Sequence, residues 1–91
     1  MAQPADFTEE QLPDGTTALR FTGTLAIAAI DRIDERLRAL SAPISRLDLS
    51  DIDHIDTVGA WLVYRTARDH DAAILGADKD AQKLISSIGS A

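Results

Sequence analysis

The chain has 91 residues, no cysteine, and 15 acidic against 9 basic residues, for a formal charge of −6 at neutral pH. That length makes one small domain with a modest core. The composition excludes a disulfide framework and thiolate metal sites, and the charge opposes nucleic-acid binding, which needs clustered Lys and Arg.

Residues 1–5 carry little hydrophobic information and read as a disordered N-terminus, leaving 6–91 as a single domain. Met1-Ala2-Gln3-Pro4-Ala5 has neither the basic start nor the apolar centre of a signal peptide. No apolar run reaches the ~20 residues that span a bilayer. A cytoplasmic domain is therefore expected, with no membrane insertion by this segment. Phe7 to Leu12 is a weak strand, and Pro13-Asp14-Gly15 is a turn in which proline presets φ and glycine accepts the positive φ that closes it. Thr16 to Thr22 alternates, with Thr17, Leu19 and Phe21 on one face, so the two strands should form a hairpin that Gly23 and Thr24 end.

From Ala26 to Leu40, Ile30, Ile33, Leu37 and Leu40 fall on one helical stripe. Arg32, Arg36 and Arg38 alternate there with Asp31, Asp34 and Glu35 as a solvated face, with Asp34 and Arg38 as an i,i+4 pair. Pro43 stops this helix. Ile44 to Leu49 is a strand, Ser50 to Asp56 an acidic loop, and Val58 to about Asp69 a second helix. Ala72 to Leu75 is a short strand. Asp78 then caps a third helix whose apolar face is Ala81, Leu84, Ile85 and Ile88. The order β-β-α-β-α-β-α predicts an α/β fold: a mixed four-stranded sheet, antiparallel at its first pair and parallel beyond, with helices mainly on one face.

The junction from strand to second helix carries the chemistry. Thr57 stands at a helix start, near free backbone N–H groups and the positive end of the helix dipole, where a hydroxyl can cap the helix or take a phosphate. Asp51, Asp53 and Asp56 lack the glycine and distant glutamate of a calcium loop, so no metal is expected. His54, Asp56 and Thr57 have the residue types of a hydrolytic triad but sit too close along one segment to converge as one, so no catalytic residue or cofactor is expected. His70, between two aspartates, reads as a solvent-exposed helix end. Trp61 shares a face with Val58 and Leu62 and is expected to pack on the sheet. Tyr64, Arg65 and Arg68 lie elsewhere on the helix with the aromatic and guanidinium mixture that interfaces use.

Asp48-Leu49-Ser50, five residues, then Asp56-Thr57-Val58-Gly59 resembles the STAS domain family, as does Phe21-Thr22-Gly23-Thr24-Leu25 at the end of the second strand. In the anti-sigma-factor antagonists of that family the residue matching Thr57 is a phosphorylated serine, followed by a second serine where this chain has Val58. The run Asp56 to Leu62 looks closer to the STAS domains of Mla-type lipid ABC transporters. The resemblance implies a non-enzymatic interaction module. Its surface would comprise Asp53, Asp56, Thr57, Gly59, Tyr64, Arg65 and Arg68, with Thr57 as a phosphorylation or partner-switch site. The favoured partner is the transporter's ATPase subunit, contacted by a separate cytoplasmic subunit or a permease extension. The alternative is an anti-sigma factor kinase that phosphorylates Thr57. The family continues with another strand and helix beyond the point where this chain stops, so those elements are expected to be missing. A small enzyme using the acidic loop, or a lipid or nucleotide sensor, are the readings from other classes.

Overall fold

Alternation of Leu19 and Phe21 with Arg20 makes the N-terminal third zip into a hairpin. In the computed structural model, which describes residues 5–89, β1 (Asp6–Gln11) pairs antiparallel with β2 (Thr17–Leu25). Gly15, at φ 87°, closes the turn, and Asp14 Oδ1 accepts from the Thr16 N–H at 2.9 Å. A single 3-10 turn, Ile27–Ala29, leads into α1 (Ile30–Arg38). There follow β3 (Ile44–Ile55), α2 (Thr57–His70), β4 (Ala73–Leu75) and α3 (Lys79–Gly89). The sheet order is β1-β2-β3-β4, with β2, β3 and β4 parallel, so the chain has the expected mixed α/β architecture.

One side of this sheet carries the core. Leu19, Phe21 and Leu25 of β2 and Leu47, Leu49 and Ile55 of β3 meet Ile33 and Leu37 of α1, Leu62 and Val63 of α2, and Ala81 of α3 in one buried cluster. The helices therefore share a face, with α2 between α1 and α3. The opposite face is polar: Arg20 lies 3.8 Å from Asp48 and 3.7 Å from Asp51. Covering one face and leaving the other to water is the normal use of a sheet with antiparallel pairing.

Two departures from the sequence expectations share a cause. Gly23 and Thr24 do not end β2, and Ser50 to Ile55 is not a loop. Both strands continue, pairing Thr22 with Asp51, Gly23 with Ile52, Thr24 with His54 and Leu25 with Ile55. Register shifts beside Gly23, at φ 80°, let the strand proceed but destroy the period-two pattern that marks one in a sequence. The first helix is also shorter than the stripe from Ala26 to Leu40, because its first turn is 3-10. Finally, Ala5 is buried in the core cluster and its carbonyl accepts from Arg32 Nη2 at 2.5 Å, so it belongs to the fold. The rest of the segment expected to be loose, residues 1–4, lies outside the described residues.

Carboxylates stitch the layers. Asp34 accepts from Arg65 and Arg38, and these bonds, that from Arg65 foremost, hold its carboxyl below the ordinary carboxylate value. Asp48 is held low by its bonds from the Ser50 hydroxyl and N–H, and Asp6 by Arg36. Because the folded values lie below the unfolded ones, the stabilisation is complete above about pH 4 and is lost as pH falls through the folded values. Denaturant midpoints should be flat from pH 7 to about 5 and drop below about pH 4, with a shallower drop in Asp34→Asn.

Candidate functional site

Where β3 hands over to α2, Asp56 does the local structural work. It is the N-cap of α2, extended at φ −101°, and its Oδ1 accepts from the Gly59 N–H at 2.8 Å. Its other oxygen accepts from the Ile27 N–H at 3.0 Å, and its own N–H donates to the Leu25 carbonyl at 3.3 Å. One carboxylate thus ties the start of α2 to the connection between β2 and α1. Asp56→Ala should cost about 1–2 kcal/mol in a urea titration, a cap's usual value at its upper end because two N–H groups lose a partner. Thr57→Ala should change stability by less than about 0.5 kcal/mol.

The contrast arises because Thr57 does not cap. It is the first helical residue, it is exposed, and its hydroxyl makes no hydrogen bond to any described residue. Asp53 and His54 are exposed at the end of β3. Asp53 and Asp56 are therefore not neighbours on a loop, and the Asp56 carboxylate, engaged by two backbone N–H groups, does not orient His54. A cleft of about 80 Å³ lies between the end of β3, Gly76 and the start of α3, lined by Ser50, Asp53, His54 and Asp78, with room for only a few waters.

Gly59 lies beneath the surface. A Cβ there would stand 2.1 Å from the Leu25 carbonyl oxygen and 3.0 Å from Ile55 Cγ1, so its absence is what lets α2 settle onto the sheet. The buried residues of α2 are Gly59, Ala60, Leu62, Val63, Thr66 and Ala67, a stripe centred between Gly59 and Val63. On a helix of 3.6 residues per turn the opposite line runs through Thr57, Trp61, Tyr64 and Arg68.

Trp61 is therefore not packed on the sheet. It is 45% exposed, on the outer ridge of the helical layer. The expectation of burial followed the large side chains, whereas the contact with the sheet is made by small ones that let the backbone approach. Periodicity of Gly, Ala and Thr together with Leu and Val is the signal that would have placed it outside.

Two arginines attend this ridge. The Arg65 guanidinium lies 5.0 Å from the centre of the Trp61 ring, and that of Arg68 lies 6.0 Å from Tyr64. Arg65 is largely covered and is bonded to Asp34 of α1, whereas Arg68 is exposed. Tyr64 is half-buried, against Gly89 of α3. The structure thus gathers Thr57, Trp61 and Arg68 on one exposed line, with Tyr64 and Arg65 as its flanks. It adds a residue with no signature in the sequence, Ile27, whose side chain is 70% exposed and whose backbone is tied to Asp56. Among the described residues no group of three or more His, Asp and Glu could hold a metal ion, and no helix is long and apolar enough to cross a membrane.

No family model matches the chain, and no curated protein matches it. Among solved structures it is similar to an uncharacterized protein of the DUF3478 family with a SpoIIAA-like fold, from Shewanella loihica PV-4. The two are 17% identical, with a TM-score of 0.56 over 99% of this chain and 79% of the other. The strand order, the mixed pairing and this likeness together give the chain a SpoIIAA-like, STAS-like fold.

Proposed function

We propose that this chain is a non-enzymatic STAS-type interaction module that docks through the outer ridge of α2, from Thr57 past Trp61, with Ile27 beside its start. The favoured partner is the ATPase subunit of an Mla-type lipid ABC transporter, which the domain would stabilise on the cytoplasmic side of its membrane. The observation that carries the reading is the Thr57 hydroxyl: it is exposed, bonded to no described residue, and relieved of capping by Asp56. An exposed tryptophan one turn along the same line supports it, since tryptophan is the residue most enriched at binding hot spots. The purified ATPase subunit, titrated with the wild type and Thr57→Glu, tests it. The wild type should bind, and the variant should bind at least about tenfold more weakly, through charge and bulk. Failure of the wild type to bind would remove this partner.

The same free hydroxyl favours a second reading, an anti-sigma-factor antagonist controlled by phosphorylation of Thr57. Phosphate would add ~1.5–2 negative charges at a helix start, where the dipole welcomes them, next to the Asp56 carboxylate, which opposes them. An anti-sigma kinase with ATP should then add one phosphate to the wild type and none to Thr57→Ala, read by intact mass.

A further inference from the structure

We propose that Asp34, on α1 and away from the docking ridge, is a positioning residue that presets Trp61 for binding by acting through Arg65. The inference rests on reading the α2 ridge as the docking face. Arg65 is the link. Its side chain is only 17% exposed, its Nη2 donates to Asp34 Oδ1, and its guanidinium faces the Trp61 ring at 5.0 Å.

Asp34 is itself held from a second side. Its other oxygen accepts from Arg38 Nε at 3.1 Å, one turn along α1, so its carboxylate is clamped between two guanidinium groups. The result is a chain of contacts from one helix, across the interhelical groove, to the face of an indole that is 45% exposed. The neighbouring pair shows what is special here. Arg68 faces Tyr64 at 6.0 Å, but its ion-pair partner is Asp69, the next residue on the same helix, at 3.7 Å. Among the described residues nothing from another helix holds Arg68, whereas Arg65 is fixed from α1.

A solvent-facing indole without such a backing would exchange rotamers freely and lose that freedom on docking. Holding it against a fixed guanidinium removes part of that loss beforehand, which is how preorganisation raises affinity. Asp34 contributes without being touched by the partner.

Trp61 is the only tryptophan, so fluorescence reports on it alone. The experiment is time-resolved anisotropy and acrylamide quenching of the wild type, Asp34→Ala, Asp34→Asn and Arg65→Lys, far below each melting midpoint. Each is paired with a titration against the purified ATPase subunit. In all three variants the fast local component of the anisotropy decay and the quenching constant should rise, and affinity should fall roughly two- to tenfold. Arg65→Lys keeps the charge facing Asp34 and loses the flat stacking surface, so it should free the indole even if removing Asp34 impairs folding. Unchanged indole mobility in the folded variants would overturn the proposal. A freed indole with unchanged affinity would overturn it too. Failure of the docking reading shows separately, as an unchanged affinity in Trp61→Ala.

Discussion

Gly59→Ala is expected to destabilise the domain by about 3 kcal/mol or more, the upper end of what overpacking produces. Most substitutions into a tight space are relieved by a side chain that rotates. Here the obstacle is the backbone carbonyl of Leu25, 2.1 Å from where the new carbon would sit, with Ile55 Cγ1 behind it at 3.0 Å. Relief requires α2 to lift from β2 and β3, which opens the contacts of Leu62 and Val63, both essentially fully buried. It also pulls Asp56 from the Gly59 and Ile27 N–H groups. Thermal unfolding followed by circular dichroism should show a melting midpoint lower by about 12–24 °C or more, given about 4–8 °C per kcal/mol in a domain of this size. Gly15→Ala makes the comparison: φ is 87° there but the space is open, so the cost should stay near 1–2 kcal/mol.

Trp61→Ala is expected to leave the fold nearly intact and to weaken partner binding by about 30-fold or more, since truncating a central anchor typically costs 2 kcal/mol or more. The stability change should stay within about 1 kcal/mol, because the ring is 45% exposed and the cation–π contact it loses, with Arg65, is worth little at a partly exposed site. The adjacent Leu62 supplies the opposite case. It is fully buried, and Leu62→Ala should cost 2–5 kcal/mol of stability. Two neighbouring residues thus separate the two sides of one helix, one read by calorimetric titration against the ATPase subunit and the other by urea unfolding.

What the sequence made legible follows from side-chain spacing. The hairpin at Pro13-Asp14-Gly15, the stripe of Ile33 and Leu37, the stop at Pro43 and the cap at Asp78 are local signals, and each has its counterpart in the structure. The order of elements, and with it the mixed sheet, came from these alone. The second halves of β2 and β3 were not legible, because what makes Ser50 to Ile55 a strand is its partner rather than its own pattern. Thr57 stood out as a hydroxyl at a helix start, but its division of labour with Asp56 depends on which of the two reaches the Gly59 N–H. Gly59 stood out as a motif residue, and only the approach of Leu25 explains it. Trp61 was misplaced because a large apolar side chain outweighs glycine and alanine in any hydrophobic stripe, though on α2 the small residues make the contact. Ile27 had no signal, since nothing in its surroundings along the chain marks it as exposed.

The sharpest test is a two-dimensional amide spectrum of the labelled wild-type chain titrated with the unlabelled ATPase subunit. The Trp61 indole N–H, unique in this chain, should shift or broaden together with the amides of Thr57 and Ile27, while Arg20, Asp48 and Leu75 on the far side of the sheet stay in place. If those sheet residues respond and the α2 ridge stays silent, the partner binds elsewhere and the docking face assigned to α2 is wrong.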